Sequence, residues 1–159
     1  MTFDTLPLTG RLLGVDLGEV RVGLALSDPS QTIASTLDTL DVKRDDTHDM
    51  LEKVVAAVNA HDPSGVVVGL PRTLDGRDGA KGGKARRFAT ALHEAIGRPV
   101  VLIDERFSTV EAERVLIDAD VSRKKRKTVI DQVAASVVLQ HALERQRARR
   151  NATDPKDLS

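Results

Sequence analysis

The chain has 159 residues, 40% of them hydrophobic, which predicts one compact domain. Its 24 basic residues equal its 24 acidic residues, so it has no overall charge to attract nucleic acid or a membrane. It has no Cys, Tyr or Trp and only three Phe, which excludes disulfides, thiolate metal sites and a cysteine nucleophile, and disfavours base stacking on aromatic rings. No apolar run approaches the roughly 20 residues that span a bilayer, and residues 1–10 do not resemble a signal peptide, so we expect a cytoplasmic protein without a membrane partner.

Three strands are predicted in the first quarter of the chain. Residues 11–17 and 20–27 are two apolar runs joined at Gly18, which can adopt the positive φ of a tight turn. Residues 32–40 carry apolar side chains among Thr and Ser and follow a turn signal, which predicts a third strand. Because consecutive short strands usually pair with each other, these three form an antiparallel meander.

Helices and strands alternate along the rest of the chain. The predicted helices are residues 46–61, 84–96, 108–119 and 128–149, and the predicted strands are residues 65–70 and 100–103. This order indicates an α/β fold in which two parallel crossover strands extend the meander into a mixed five-stranded sheet flanked by helices. We interpret the basic residues 122–127 as a linker, residues 10–147 as a single domain, and residues 1–9 and 148–159 as flexible ends.

Acidic side chains occur at three places where burial of a charge is unfavourable or where active sites are commonly found. Asp16 interrupts an apolar strand, and a buried carboxylate is unfavourable unless a cation compensates it. Asp104 and Glu105 follow a strand, at the kind of sheet edge where α/β proteins place their chemistry, and Asp131 borders the apolar stripe of the last helix. Oxygen ligands from three elements suit Mg²⁺ or Mn²⁺, and two such ions about 4 Å apart can activate water for phosphodiester hydrolysis. Spacing alone does not rank Asp104 against Glu105.

Each of these acids also has a purely structural interpretation. Asp16 could close the hairpin turn, although its apolar surroundings favour a functional role. Asp131 falls in the first turn of the predicted last helix, where the segment from Thr128 resembles a capping box. We assign Glu111 to a better capping box and Asp28 to the turn after the second strand.

The neutral total charge conceals two basic segments. Residues 121–150 contain nine basic and two acidic residues, a net charge of +7, and residues 72–87 carry +4, so the remaining residues carry −11. The basic run before Asp131 could hold phosphates beside a metal-binding carboxylate, although such a run is usually a solvated loop. The glycines of residues 72–87 do not form a P-loop, because no Gly-Lys-Ser/Thr follows them. The residues expected to bind nucleic acid are Arg72, Arg77, Lys81, Arg106, Arg123, Lys124, Lys125 and Arg126.

Four motifs, in order over residues 11–143, resemble the YqgF (RuvX) family. They are Leu13-Gly14-Val15-Asp16-Leu17-Gly18, Val68-Gly69-Leu70-Pro71 with Asp75-Gly76, Asp104-Glu105-Arg106-Phe107-Ser108-Thr109, and Asp131-Gln132-Val133-Ala134-Ala135. The resemblance implies an RNase H-like fold and a metal-dependent nuclease whose catalytic acids and metal ligands are Asp16, Glu105 and Asp131, and it favours Glu105 over Asp104. Family members are described as candidate Holliday junction resolvases, by similarity to RuvC, and as nucleases that process the 5′ end of pre-16S rRNA.

We therefore expect a metal-dependent endonuclease that acts on structured nucleic acid with two Mg²⁺ or Mn²⁺ ions. The preferred role is processing of the 5′ end of pre-16S rRNA in ribosome biogenesis. The alternative substrate is a four-way DNA junction, whose paired incisions need a two-fold dimer, and the sequence does not distinguish a monomer from a homodimer. A hypothesis of another class is a non-catalytic RNA-binding assembly factor, and the apolar setting of Asp16 argues against it.

Overall fold

The computed structural model describes the backbone of residues 2–71, 79–104 and 123–153, and the side chains of all of these except residues 123–132 and 153. These ranges contain one short 3-10 helix, Phe3–Thr5, followed by five strands and three helices. The strands are β1 (Leu12–Leu17), β2 (Arg21–Ser27), β3 (Ala34–Asp41), β4 (Gly65–Leu70) and β5 (Val100–Asp104), and the helices are α1 (Thr47–His61), α2 (Ala80–Ile96) and α3 (Arg123–Thr153). In these parts of the chain no helix is both long and apolar enough to cross a membrane.

The five strands form one mixed sheet in the order β3-β2-β1-β4-β5. β1 pairs antiparallel with β2 and parallel with β4, β2 pairs antiparallel with β3, and β4 pairs parallel with β5. The sequence prediction of a meander extended by two crossover strands is confirmed. β4 is buried along its whole length, as its unbroken apolar sequence predicts.

Helices cover both faces of the sheet. Successive side chains of a strand point to opposite faces, so each strand contributes to two separate layers of the core. On one face Leu13 and Val15 of β1 pack in a cluster with side chains of α1 and α2, including Met50 and Phe88. On the other face the apolar side chains of α3 and of the N-terminal segment cover the remaining strand residues, and this second cluster comprises Phe3, Leu6, Leu12, Ala25, Val67, Val101, Ile103, Ala135, Val138, Leu139, Ala142 and Leu143.

The first two helices start and end at recognisable signals. The Asp46 side chain accepts a 3.0 Å hydrogen bond from the backbone N–H of Asp49 and so caps α1, whose C-terminal cap Asp62 has a left-handed φ of 50°. α2 ends at Gly97, also left-handed, as predicted, but it begins four residues earlier than the predicted residue 84. β5 ends at Asp104, which therefore belongs to the strand rather than following it.

The predicted basic linker before the last helix is wrong. α3 runs without a break from Arg123 to Thr153, so the basic residues 123–127 form its first turns and the tail up to residue 153 is helical rather than flexible. Lys and Arg favour helix, and no Gly or Pro interrupts this segment. Asp131 therefore lies two turns inside the helix, and its interpretation as an N-terminal cap is wrong. The predicted helix at residues 108–119 and the last residues, 154–159, lie outside the described residues.

The predicted flexible N-terminus is also wrong for the residues that the structure describes. Phe3 and Leu6 are buried in the cluster under α3, with 8% and 1% of their surface exposed. The Arg149 guanidinium donates 3.1 Å and 3.0 Å hydrogen bonds to the carbonyls of Leu6 and Asp4, and the Arg145 guanidinium lies 4.0 Å from the ring centroid of Phe3. Residues 3–6, which precede the predicted boundary at residue 10, therefore pack against the folded unit.

Candidate active site

Asp16 lies near the end of β1, the central strand of the sheet. Its neighbours on the strand are Val15, which is fully buried, and Leu17, and its backbone is paired with Gly23 of β2. The residue itself is half-buried in an otherwise apolar strand. Strand alternation places Asp16 on the same face as Gly14, which is the face covered by α3.

α3 runs antiparallel to β1 across this face. Its C-terminal half lies near the start of β1, because Gln146 Nε2 donates a 2.7 Å hydrogen bond to the carbonyl of Pro7. Its middle lies over Gly14, since a Cβ atom built there would be 2.8 Å from Leu139 Cβ and 3.1 Å from the Ala135 carbonyl oxygen. The N-terminal half of α3 therefore lies over the end of β1, where Asp16 is found.

Position 131 belongs to the face of α3 that packs on the sheet. It precedes Ala135 by four residues and Leu139 by eight, and both of these are buried against the sheet. The four residues from Ala135 back to position 131 move the chain about 6 Å toward the N-terminus of α3, and the two residues from Gly14 to Asp16 move it about 7 Å in the same direction. The backbone thus places position 131 above the strand segment that carries Asp16.

Asp104 and Glu105 are not equivalent with respect to this face. On β5, Val101 and Ile103 belong to the cluster under α3, whereas Val100 and Leu102 pack on the side of α1 and α2. Alternation assigns Asp104, the last residue of the strand, to the α1 and α2 side, opposite Asp16. Glu105 lies outside the described residues. Among the side chains that the structure describes, which include neither Glu105 nor Asp131, no group of three metal-binding residues occurs.

The N-termini of α2 and α3, which lie in the two basic segments of the sequence, are at the same edge of the sheet. We call this the carboxyl edge, because the parallel strands β1, β4 and β5 all end there. Lys81 is exposed in the first turn of α2, which follows β4, and Arg123, Lys124, Lys125 and Arg126 lie in the first turns of α3. α2 and α3 cover opposite faces of the sheet, so the two basic helix starts lie on either side of the end of β1. The remaining predicted phosphate-binding residues, Arg72, Arg77 and Arg106, lie outside the described residues.

Lys84 is a residue at this edge that was not singled out from the sequence. Its Nζ lies 3.5 Å from the carbonyl oxygen of Gly18, two residues after Asp16, and 3.2 Å from Asp45 Oδ1. Together with Lys81, Leu17 and Gly18 it lines a cleft of about 210 Å³. The sequence signal was its spacing of one helical turn from Lys81, which places both lysines on one side of α2.

Asp28, by contrast, has the structural role expected of it. Its Oδ1 accepts 2.8 Å hydrogen bonds from the backbone N–H groups of Thr32 and Ile33, and Ser30 Oγ donates to its Oδ2. The bond from Ile33, followed by that from Ser30, lowers the pKa of Asp28 from 3.8 to about 2. The carboxylate stabilises the turn between β2 and β3, at the end of the sheet opposite Asp16.

This arrangement of strands and helices is that of the RNase H-like resolvases. RuvC of Thermus thermophilus, solved in complex with a Holliday junction substrate, superposes with a TM-score of 0.57 at 17% identity, over 87% of this chain and 96% of that one. The fowlpox virus resolvase, solved with Holliday junction DNA, gives a TM-score of 0.52 at 13% identity, over 87% of this chain and 98% of that one. At these identities the likeness establishes the fold.

Sequence comparison defines the family more narrowly. The family model "RuvX: Holliday junction resolvase" matches residues 10–145. A provisionally named pre-16S rRNA nuclease of Thermoanaerobacter pseudethanolicus is 44% identical over 138 residues, which cover 86% of this chain and 98% of the relative. A protein of the same name from Bacillus cereus is 43% identical over 135 residues, which cover 85% and 98%. The chain belongs to the RuvX family, as its motifs predicted, and it is an enzyme of the nuclease class of hydrolases.

Proposed function

We propose that the protein is a divalent-metal-dependent endonuclease that cleaves structured RNA in the cytoplasm, in the maturation of the 5′ end of pre-16S rRNA. The observation that carries this proposal is the half-buried Asp16 carboxylate on the central strand, on the face covered by the basic N-terminal half of α3. The provisional names of the relatives at 43–44% identity support the RNA substrate.

Asp16, Glu105 and Asp131 are the residues that would hold Mg²⁺ or Mn²⁺. Carboxylate oxygens are the ligands that these hard cations prefer, and Asp16 is half-buried near the end of the central strand. Asp104 belongs to the opposite face of the sheet, so we assign the second carboxylate to Glu105, as the family resemblance implies. Two bound ions would supply an activated water and stabilise the leaving oxygen of an in-line phosphodiester hydrolysis.

The protein itself positions the substrate backbone. Lys81 in the first turn of α2 and the basic residues 123–127 in the first turns of α3 present positive charge on both sides of the carboxyl edge. Contacts from Lys and Arg to phosphates fix the position of a nucleic acid without reading its bases. The scissile phosphate would thus reach the cations that Asp16 would hold, while flanking phosphates contact the two helix starts, an arrangement suited to a folded substrate.

A second candidate substrate is a four-way DNA junction, which the description of the matching family model favours. Resolution of a junction needs two symmetric incisions and therefore two active sites related by a two-fold axis. The protein would then act as a homodimer, whereas cleavage of an rRNA precursor needs only a monomer.

A side-by-side cleavage assay tests this proposal. Wild type and Asp16→Asn are incubated with Mg²⁺ and either a 5′-extended 16S rRNA precursor or a synthetic four-way DNA junction, and Asp38→Asn, a change on the edge strand β3, serves as the matched control. We expect wild type and the control to cut the RNA and Asp16→Asn to lose activity on the order of 10³-fold, with RNA binding retained. Cutting of the junction alone would reject the RNA substrate, and undiminished cleavage by Asp16→Asn would reject the site.

A further inference from the structure

Gly14 occupies a position in β1 where glycine is unfavourable. It lies in the middle of the central strand, where glycine costs about 0.5–1 kcal/mol relative to Ala and contributes no side chain to the core. Its backbone does not adopt the positive φ that would favour glycine. Glycine inside a strand often marks the close approach of another piece of backbone. The reason for this glycine must therefore be space rather than conformation.

The space above Gly14 is filled by α3. A Cβ atom at Gly14 would lie 2.8 Å from Leu139 Cβ and 3.1 Å from the carbonyl oxygen of Ala135. Carbon atoms in ordinary contact are about 3.5–4.0 Å apart. Neither contact can be relieved by rotating a side chain, because one atom is a Cβ and the other belongs to the backbone. An Ala at position 14 would therefore push the helix itself away from the strand, by about 0.7 Å or more.

This contact lies next to the proposed metal centre. Gly14 is two residues before Asp16 on the strand, and Ala135 is one turn after position 131 on the helix. The depth at which α3 packs on Gly14 therefore fixes the separation between the strand and the helix that carry two of the three acids. Mg²⁺ requires nearly ideal octahedral geometry with bonds of about 2.0–2.1 Å, and functional sites tolerate displacements of only about 0.5 Å.

We propose that Gly14 is a positioning residue that sets the distance between Asp16 and Asp131 and so determines the affinity of the site for divalent cations. This inference rests on the proposed function, because it takes these two acids as metal ligands. It adds to that function a residue with no ligand atom of its own. Gly14 acts through the packing depth of α3, and Mg²⁺, with its stricter geometry, depends on it more than Mn²⁺ does.

The test measures Mn²⁺ and Mg²⁺ binding by titration calorimetry on the full chain, for wild type, Gly14→Ala and the control Gly65→Ala. Gly65 lies at the start of β4, at the far end of the sheet, where a new Cβ would meet Leu6 Cδ2 at 2.7 Å. We expect Gly14→Ala to weaken Mn²⁺ binding about tenfold and Mg²⁺ binding more, the lower end of effects measured for residues that support metal ligands. Gly65→Ala should lose stability but bind both ions as wild type does.

Cleavage kinetics provide a second readout that general destabilisation would not reproduce. For Gly14→Ala we expect kcat to fall at limiting Mg²⁺ and to recover at high Mg²⁺, with the KM for the RNA unchanged. If Gly14→Ala does not fold, the test uses Leu139→Ile, which moves the branch of the side chain from Cγ to Cβ, the atom that faces Gly14. We expect it to lose less Mg²⁺ affinity than Gly14→Ala.

The outcomes separate this inference from the proposed function. The positioning role is overturned if folded Gly14→Ala binds the cations with wild-type affinity. If Gly14→Ala does not fold, the same result for folded Leu139→Ile overturns it. In either case the proposed function still stands if Asp16→Asn is inactive. Failure of the wild type to bind either ion overturns both.

Discussion

The two ends of the sheet are built in opposite ways. At the amino edge, where β1 begins, the polar side chains Gln31 and Gln146 are buried, with 1% and 0% of their surface exposed, and Gln146 Nε2 donates a 3.1 Å hydrogen bond to Gln31 Oε1. Both amides also donate to the carbonyl of Pro7, at 3.0 Å and 2.7 Å. At the carboxyl edge Asp16 is half-buried and basic helix starts lie on both faces.

This difference separates stability from function along one helix. At the amino edge the polar groups of α3 are satisfied by partners within the chain, and such a satisfied network holds the N-terminal segment, the turn after β2 and the helix in one arrangement. At the carboxyl edge the first turns of the same helix carry the basic residues that we propose to contact the substrate. We therefore expect changes at the amino edge to alter the free energy of unfolding, and changes at the carboxyl edge to alter cleavage or substrate binding.

The largest effect on stability is expected at Gln146. Gln146→Ala removes the hydrogen bonds to Gln31 and Pro7 and takes from the buried Gln31 Oε1 the donor that Gln146 supplies, so the free energy of unfolding should fall by about 2–4 kcal/mol. Urea denaturation measures this loss. Gln140 lies on the same helix and accepts one 3.2 Å hydrogen bond from the backbone N–H of Ala34 on β3. Gln140→Ala should therefore lower the free energy of unfolding by less than about 1 kcal/mol. Strongly reduced cleavage by a folded Gln146→Ala protein would contradict the expectation that changes at the amino edge affect stability alone.

A smaller effect is expected from the basic start of α3. The double change Lys124→Gln and Lys125→Gln should raise the KM for the RNA about tenfold near physiological salt and lower the slope of log KM against log salt by about 1.5, with kcat unchanged. Arg147→Gln, an exposed change on the same helix near the amino edge, is the matched control and should leave both quantities as in wild type. An equal effect of Arg147→Gln would mean that charge along the whole helix, rather than at one edge, holds the substrate.

The smallest effect is expected at Asp28, on the amino edge. Its folded-state pKa of about 2 lies below the ordinary value of 3.8, so the ionised carboxylate stabilises the fold above about pH 4, and this contribution is lost as the pH falls toward 2. After allowance for solvent screening we expect about 1 kcal/mol between wild type and Asp28→Asn at pH 6, most of it lost by pH 2. Unfolding curves at the two pH values measure it. A pH-independent difference would contradict the role of the ionised form.

The sheet could be predicted from the sequence because its signals are local. The unbroken apolar run of β4 and the glycine turn after β1 identify strands and a hairpin without any knowledge of their neighbours. The boundary errors occurred where tertiary contacts decide. The sequence around Phe3 and Leu6 is typical of a flexible terminus, and only the packing of α3 explains why these two residues are buried. The charge of residues 123–127 is typical of a loop, but Lys and Arg also favour helix.

The candidate site was predictable in part. Asp16 stood out because a carboxylate in an apolar strand is costly, and this depends only on its immediate neighbours. The choice between Asp104 and Glu105 could not be made from spacing, because it depends on which residues of β5 face α3. The structure assigns Asp104 to the face away from α3. The spacing of Lys84 from Lys81 indicates only that both lie on one side of α2, and its contact with Gly18 depends on an element far away in sequence. The packing contact of Gly14 with α3 likewise joins distant segments, so no local pattern could have indicated it.

The proposed metal centre is tested most directly by a Mn²⁺ titration of wild type, Asp16→Asn and the control Asp38→Asn by calorimetry, with circular dichroism to confirm folding. We expect wild type and Asp38→Asn to bind Mn²⁺ with the same affinity and Asp16→Asn, although folded, to bind it at least about tenfold more weakly. Equal Mn²⁺ affinity in wild type and folded Asp16→Asn would contradict the claim that the carboxyl edge of β1 is a metal-dependent catalytic centre.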